Sequence, residues 1–362
     1  MRDAIIFIVI FASLPFCFLR PWIGILVFSW ISYMNPHRFT WAAAYDYPFA
    51  KIVAIVTIAG LLFTRDKMSL PKTRETILIV FLGLYFTFTN FFAFNPDAAW
   101  FQWQKVIKIL VMTLITMVLI NDRRKLKYLV MVIAFSIGFL GIKGGIFSFA
   151  TGGEFRVYGP AGSFFSDNND MALALNMTIP MLFYLAKGEE NRRLKLIFWF
   201  VFIMSIVSIV FTYSRGGFLT LVVVGTLLLI KTRYKMFVVV IAAAAIIIGI
   251  TYIPEKWFER IDTIRTYEED NSAMGRINAW HTAFNIAKDR PLIGGGFETF
   301  TWQVFHLYAP SPSNIHDVHS IYFEVMGEHG FIAFGLFLIL IFCTLLTAMK
   351  LKRTARINKQ IN

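Results

Sequence analysis

Two arginines and two histidines in this chain have the residue types and surroundings needed for chemistry on an anionic substrate. Arg215 lies in the apolar stretch FTYSRGGFLT, and Arg276 lies in the polar stretch MGRINAW. His316 and His319 follow, three residues apart. A guanidinium binds an oxyanion through two parallel N–H groups, and a neutral imidazole accepts a proton from a hydroxyl group. These residues therefore predict an anion-binding site and a general base.

Arg215 requires an explanation, because a charge at membrane depth is costly unless it faces water, protein or a ligand. Gly216 and Gly217 follow it and permit a tight turn that exposes backbone amides. We expect this turn to face outward between two membrane helices. The alternative is an arginine whose side chain simply extends to the lipid headgroups.

Arg276 precedes a stretch whose apolar residues recur at helical spacing and predict an amphipathic helix. These residues are Ile277, Trp280, Phe284 and Ala287. We expect Arg276 at the start of the helix, where a bound anion would compensate both its charge and the helix dipole. The alternative is that the aromatic side chains dock the helix on the bilayer surface and leave Arg276 solvated.

The two histidines allow three interpretations. On a helix, His316 and His319 would share one face, and Glu324, Glu328 and His329 follow them. Two histidines and a carboxylate are a weak indication of zinc. The histidines could instead form structural hydrogen bonds near the membrane interface, or one of them could be a general base at the membrane surface. We expect neither a metal ion nor a cofactor.

The composition is that of a membrane protein. Of the 362 residues, 57% are hydrophobic and 16% are charged, and apolar stretches recur along the whole length. This pattern predicts an all-α polytopic protein without a separate soluble domain. Cys17 and Cys343 lie in apolar runs, so we expect packing residues rather than a disulfide or metal ligands.

The net charge of +13 comes from basic clusters beside apolar segments, which is the pattern of membrane helices with their basic loops in the cytoplasm. It does not indicate nucleic-acid binding. The clusters are Arg65, Lys67, Lys72 and Arg74; Arg123, Arg124, Lys125 and Lys127; Lys187, Arg192, Arg193 and Lys195; Lys231, Arg233 and Lys235; and residues 350–359.

Placing these clusters in the cytoplasm gives an alternating topology of about 10 transmembrane helices. The long segment 254–318 then lies outside, contains the amphipathic helix and carries more acidic than basic residues. We predict spans near residues 4–34, 49–63, 76–94, 104–120, 128–149, 171–187, 196–213, 217–230, 236–253 and 319–347.

Residues 4–34 are long for one span and short for two, because a span needs about 20 residues. Pro15 and the Arg20-Pro21 pair interrupt them. We expect a single kinked helix with the N-terminus in the cytoplasm. A tight hairpin would instead give about 11 helices and place the N-terminus outside.

Several short motifs, taken in their order, resemble the O-antigen ligase and polymerase superfamily. They are Tyr213-Ser214-Arg215-Gly216, Gly275-Arg276 with Trp280 four residues on, and His319-Ser320 followed by nine residues and Gly330. Over the whole chain, the stretches MNPHRFTWAAAYDYPFA, GGEFRVYGPAGSFFSDNNDMALAL and SAMGRINAW are similar to the O-glycosylation ligases of the exosortase A-associated system, a branch of that superfamily.

The resemblance implies three parts. Residues 1–190 are the N-terminal transmembrane region typical of that branch, residues 195–350 are the ligase-related membrane domain with the segment 254–318, and residues 351–362 are a basic cytoplasmic tail. Two features depart from the pattern. Ala333 stands where ligases have Gly, Thr or Tyr, and family members usually continue with further membrane helices after the segment that ends here at Asn362. A shortened member is therefore expected.

The activity that the resemblance implies is transfer of a glycan from an undecaprenyl-pyrophosphate carrier to an acceptor hydroxyl, without metal or nucleotide. It takes place on the periplasmic face of the bacterial inner membrane. The acceptor hydroxyl could belong to a protein Ser or Thr, a lipid or a polysaccharide.

The resemblance also implies residue roles. Arg215 and Arg276 contact the pyrophosphate, and His319 takes the proton from the acceptor hydroxyl. His316 helps to shape the acceptor site. Further neighbours expected in the same outer cavity are Lys143, Arg156 and Asn169.

Three other functions are weighed against this one. A polysaccharide polymerase belongs to the same superfamily. A transporter or flippase for lipid-linked glycans would need charges and broken helices near the bilayer midplane and inverted repeats, and Lys143 is its one candidate charge. A membrane metalloprotease would need a fuller ligand set than HxxH supplies.

Overall fold

The computed structural model describes residues 1–64, 69–230 and 271–361, and the regular elements in these ranges are all helical. Four predictions lie outside the described residues: Arg65 and Lys67, the basic cluster 231–235, the span 236–253 and the segment 254–270. The α-helices are α1 (Arg2–Leu19), α2 (Pro21–Met34), α3 (Phe49–Phe63), α4 (Arg74–Asn90), α5 (Pro96–Leu119), α6 (Arg123–Ala150), α7 (Asn168–Gly188), α8 (Arg192–Val210), α9 (Arg215–Ile230), α10 (Asn271–Asp289), α11 (Trp302–Tyr308) and α12 (Ile321–Ile361).

Six of the described helices are long and apolar enough to cross a membrane, namely α1, α5, α6, α7, α8 and the part of α12 from Ile321 to Ala355. Three shorter apolar helices, α2, α3 and α9, accompany them. The protein is therefore an all-α polytopic membrane protein, as its composition predicts.

The described residues form two compact units, each built from two separate stretches of chain. The first unit joins residues 1–64 with residues 119–230. The second joins residues 69–118 with residues 271–361. The division into residues 1–190, 195–350 and 351–362 stays a prediction.

In the first unit, glycines on one face of α6 let this helix approach α8 closely. A Cβ atom at Gly141 would overlap the Ser205 hydroxyl, and one at Gly144 would overlap the Ser208 hydroxyl. Small residues of this kind allow tight packing between membrane helices, where lipid supplies no hydrophobic force to drive association. Lys143 lies between these glycines in sequence and is exposed.

Residues 4–34 form two helices, so the expected single kinked helix is wrong. Arg20 separates α1 from α2 with a non-helical backbone (φ −135°, ψ 82°). The Asp3 carboxylate near the start of α1 accepts a hydrogen bond from the Ala44 N–H at 3.1 Å. Because Ala44 follows α2, this bond brings the start of α1 beside the segment after α2, as in a hairpin. Pro21 stands at the first position of α2, where its fixed φ favours a new helix start.

Basic clusters that the sequence assigns to the same side lie together within each unit. In the first unit, Lys127 Nζ donates to Glu189 Oε2 at 3.1 Å, which joins the start of α6 to the α7–α8 loop. This hydrogen bond holds the pKa of Glu189 below its usual value. In the second unit, Arg74 at the start of α4 donates to the Thr347 hydroxyl, close to the basic end of α12.

The opposite end of the first unit consists of residues 35–48, 151–167 and 211–214, which we call the loop cluster. The Tyr45 hydroxyl donates to Ala161 O at 3.4 Å, and the Val157 N–H donates to Phe211 O at 2.9 Å. The sequence predicts that all three segments lie at or beside the outward face.

Cysteine labelling should place the N-terminus on the same, outer side as the loop after α2. In a C17A/C343A background, single cysteines replacing Ala4 or Ala43, both exposed, should react with a membrane-impermeant maleimide on intact spheroplasts. A cysteine replacing Arg124 should react only after permeabilisation, because its loop is predicted to be cytoplasmic.

Cysteines in residues 231–235 should be labelled only after permeabilisation, like a cysteine at position 124. Cysteines in residues 254–318 should be labelled on intact spheroplasts, like a cysteine at position 43. Labelling of position 124 or of residues 231–235 from outside would contradict the topology. Labelling of position 4 only after permeabilisation would contradict the hairpin.

Candidate functional site

Arg215 is the first residue of α9, directly after a turn that is tied to the loop cluster. Tyr213 in this turn has a positive φ of 57°, and its hydroxyl donates to Gly153 O at 2.6 Å. The turn between α8 and α9 is thus held from the side by the 151–167 segment. Arg215 itself is half-buried.

Ser214 fixes the start of α9 against the start of α7. Its hydroxyl donates to Asn169 Oδ1 at 2.7 Å, and its Oγ accepts the Gly217 N–H at 3.1 Å. Asn176, about two turns further along α7, donates to Gly217 O at 3.0 Å. The Ser-Arg-Gly-Gly stretch is therefore a capped helix start, and Asn169 serves to position it.

Lys143 and Arg156, both predicted as site neighbours, line one cleft of about 260 Å³ beside the loop cluster. The Lys143 ammonium lies 4.5 Å from the centre of the Phe39 ring. Met171 on α7 also lines the cleft, two residues after Asn169. Lys143 and Arg156 therefore share this cleft, while Asn169 contacts Ser214 just before the start of α9, and all of these residues belong to the first unit.

The second unit holds Arg276, His316 and His319. Gly275 on α10 packs directly against the His316 ring, so that a Cβ atom there would overlap the imidazole. His316 Nδ1 is buried without a hydrogen-bond partner among the described residues. Arg276, the next residue after Gly275, is half-buried.

Two side chains of α10 hold the loop that carries both histidines. Asn278 Nδ2 donates to Ser311 O and Asn314 O, each at 2.8 Å. The Trp280 indole N–H donates to Val318 O at 2.9 Å, and its ring stacks on Phe323 with centroids 5.1 Å apart. The spacing in GRINAW therefore has a structural reason, since both residues position the segment that ends at His319.

His316 and His319 lie in a loop, so they do not share the face of a helix. The helix α12 begins only at Ile321, and Ser320 O accepts the Glu324 N–H at 2.9 Å in its first turn. His319 is exposed and has a positive φ of 46°. The His319 side chain is thus exposed just before the helix, whereas the His316 ring packs against Gly275 of α10.

Two expectations for α10 also differ from the structure. The helix starts at Asn271, so Arg276 lies in its second turn rather than at its start. Its fully buried side chains are small or aliphatic, and Phe284 of the predicted stripe is 47% exposed. These buried residues are Ala279, Thr282, Ala283, Ile286 and Ala287. Small residues are required here because α12 approaches closely, with the position of a Gly327 Cβ only 3.1 Å from Ala283.

The helix α12 is broken at Gly330, the glycine of the ligase-like spacing. Gly330 has φ 78° and ψ −178°, a conformation open essentially only to glycine. The Gly295 and Gly296 N–H groups donate to Gly327 O and Glu328 O at 2.9 and 2.7 Å. The triple glycine at 294–296 thus satisfies carbonyl groups that the break releases, as buried backbone groups require.

Gly330→Ala should destabilise the protein by about 1–3 kcal/mol, because a side chain at this φ is strained. Its Cβ atom would also lie 2.5 Å from Pro291 O. The measurement is the midpoint of thermal aggregation in detergent. The matched control is Gly335→Ala in the same helix, where no atom lies within 4 Å of the added Cβ and no loss is expected. Equal midpoints for the two variants would contradict the role of Gly330.

The residues just before the break form a buried polar cluster that the sequence did not single out as a site. His329 is 1% exposed, stacks on Phe86 with ring centroids 4.3 Å apart, and is hydrogen bonded through Nδ1 to Thr89 Oγ1 at 2.6 Å. Glu328 Oε1 accepts the Glu298 N–H at 2.8 Å. The sequence feature that could have indicated this cluster is the Glu328-His329 pair directly before Gly330 in an apolar helix.

A metal centre was one interpretation of the histidines. Within the residues that the structure describes, no group of three or more His, Cys, Asp or Glu side chains is arranged to hold a metal ion.

Comparison with known families divides the chain near residue 195. A family model described as a family of unknown function (DUF5935) matches residues 1–190, more than half of the chain. The chain belongs to this family. A second family model, described as O-antigen ligase, matches residues 200–338. Neither a curated protein nor a solved structure matches the chain.

The O-antigen ligase match supports the superfamily that the motifs resemble, and with it a membrane function of the ligase or polymerase type. In this DUF5935-family chain, the matched segment contains Arg215, Arg276, His316 and His319. Lys143, Arg156 and Asn169 lie in the other matched segment. The predicted site residues are therefore drawn from both.

Proposed function

We propose that this protein is a membrane glycan ligase that transfers a glycan from undecaprenyl-pyrophosphate to an acceptor hydroxyl on the periplasmic face of the bacterial inner membrane. The observation that carries the proposal is the O-antigen ligase match over residues 200–338, which contain both arginines and both histidines. The resemblance of the N-terminal stretches favours the O-glycosylation ligases of the exosortase A-associated system.

The arginines are proposed to bind the pyrophosphate of the donor lipid. A lipid pyrophosphate is already an activated leaving group, and negative charge grows on it as the bond to the sugar breaks. Arg215 stands at the N-terminus of α9, where the helix dipole adds to the attraction of its guanidinium for an anion. Arg276 is proposed as a second guanidinium for the same pyrophosphate.

His319 is proposed to activate the acceptor hydroxyl. The acceptor hydroxyl oxygen attacks the anomeric carbon, the bond from that carbon to the pyrophosphate oxygen breaks, and the electron pair leaves with the pyrophosphate. The hydroxyl proton passes to the neutral imidazole of His319, which is exposed in the loop before α12. His316, covered by Gly275, shapes the loop and the acceptor site.

The test is transfer of labelled glycan from the carrier lipid in proteoliposomes, with EDTA present and with a panel of acceptors. We expect transfer that EDTA does not reduce. A Ser/Thr peptide acceptor would identify a protein ligase, and growth of the glycan itself would identify a polymerase. Movement of the carrier lipid without transfer to any acceptor would overturn the proposal in favour of a flippase, and loss of transfer with EDTA would overturn the metal-independent mechanism.

A further inference from the structure

An apolar groove of about 700 Å³ runs along the first unit between α2, α6 and α8. Its lining includes Trp30, Tyr128, Phe135, Ile142 and Phe200 and contains no Asp, Glu, Lys or Arg. From Tyr128 to Ile142 the groove follows about 21 Å of α6, at 1.5 Å per residue. Its length and its apolar lining match a long apolar chain that lies along α6.

The groove lies beside the cleft that Lys143 and Arg156 line. On α6, Phe139 and Ile142 line the groove, whereas Leu140 and Lys143 line the cleft. Phe139 packs edge-on against Phe39, another residue of the cleft, with ring centroids 6.0 Å apart. The two cavities therefore adjoin at residues 139–143.

The charged residues of the cleft indicate the charge of the ligand that it would bind. Lys143 and Arg156 are the charged residues in the lining of the cleft, and both are cationic. The cleft lies at the end of α6 opposite the basic cluster 123–127, which is the end predicted to face outward. The complementary ligand is a lipid with an anionic head at the outer face and a long chain that reaches down into the membrane.

We infer that this groove binds the polyprenyl chain of the donor lipid, with the pyrophosphate entering through the cleft at Lys143 and Arg156. The inference rests on the proposed function for the identity of the lipid. It assigns a role to the segment that matches the family of unknown function, because the lining of both cavities comes from residues 1–190 apart from Ile197, Phe200 and Val201.

A larger side chain in the groove should weaken the binding of donors with a long polyprenyl chain and leave the binding of short donors unchanged. Val132 lines the groove, and Val132→Trp should raise KM about fivefold for a long-chain polyprenyl donor while leaving KM for a two-isoprene donor unchanged. The matched control is Val222→Trp on α9, at an exposed position outside the lining, which should change neither value. Equal shifts for long and short donors would indicate a structural defect and overturn the inference.

Photocrosslinking tests the groove without requiring transfer. The full chain in nanodiscs is irradiated with a polyprenyl pyrophosphate that carries a photoreactive group in its chain, and the crosslinked peptides are mapped. We expect crosslinks on α2, α6 and α8 that excess polyprenyl pyrophosphate removes, that phosphatidylglycerol does not remove, and that K143A/R156A weakens.

Crosslinks spread evenly over the lipid-facing helices, or removed equally by phosphatidylglycerol, would overturn the groove. If specific crosslinks form in a protein that transfers glycan to no acceptor, the groove stands and the proposed function fails. The two outcomes are thus distinguishable.

Discussion

Replacing His319 with alanine is expected to lower the rate of glycan transfer by about 10²- to 10⁴-fold while leaving donor binding intact, as is typical when a general base is lost. The choice of His319 over His316 stays a proposal, which rests on the spacing from His319 to Gly330 and on the exposure of His319. His319 is exposed in the loop before α12, whereas His316 packs against Gly275 of α10. The measurement is transfer in proteoliposomes, together with binding of the carrier lipid by each variant.

The matched variant is His316→Ala, which removes the same side chain three residues earlier. We expect a smaller loss of transfer from it, because the loop loses packing against Gly275 but keeps its hydrogen bonds to Asn278 and Trp280. If His316→Ala is inactive and His319→Ala is near normal, the wrong histidine has been chosen. If both variants transfer at the parental rate, the loop has no role in proton transfer.

Replacing Arg215 with alanine is expected to abolish transfer without loss of folded protein, because it removes a cation from the proposed pyrophosphate site. Arg215→Lys should restore only part of the rate, since an ammonium keeps the charge and loses the two-pronged geometry of the guanidinium. The helix start should survive both changes, because Ser214 caps it through the Gly217 N–H. The same expectations hold for Arg276.

The control for charge is Arg193→Ala, an exposed arginine at the start of α8 in a loop predicted to be cytoplasmic. It should transfer at the parental rate. A parental rate for Arg215→Ala would instead favour the alternative in which this side chain only contacts lipid headgroups. Retention of the folded protein is checked by size-exclusion chromatography in detergent.

Helix positions were predicted closely because their signals are local. The span predicted at 217–230 is α9 at Arg215–Ile230, and the span predicted at 128–149 is α6 at Arg123–Ala150. An apolar run of sufficient length is by itself evidence of a membrane-spanning helix. Capping residues sharpen the ends, as Asp122 does by accepting the Lys125 N–H at 2.8 Å.

The predictions that were wrong depended on partners distant in the chain. The kinked helix over residues 4–34 was wrong because the backbone leaves helical geometry at Arg20, and the hydrogen bond from Ala44 to Asp3 brings the start of α1 beside the segment after α2. The histidines do not share a helical face, because Asn278 and Trp280 hold residues 311–318 as a loop. The residues around Asp3 do not reveal Ala44 as a partner, and residues 311–318 do not reveal Asn278 and Trp280.

By itself, the sequence determined the membrane class, the positions of most helices within the described ranges and the motifs of the ligase superfamily, because composition, apolar run length and residue order are properties of the chain. Tertiary structure alone decided the hairpin at the N-terminus, the pairing of Ser214 with Asn169, the broken helix at Gly330 and the groove that adjoins Lys143. Each of these arises where backbone or side-chain groups far apart in sequence satisfy one another's hydrogen bonds or pack around a cavity. Short-range patterns carry no information on such pairings, since many partners could satisfy the same donor or fill the same space.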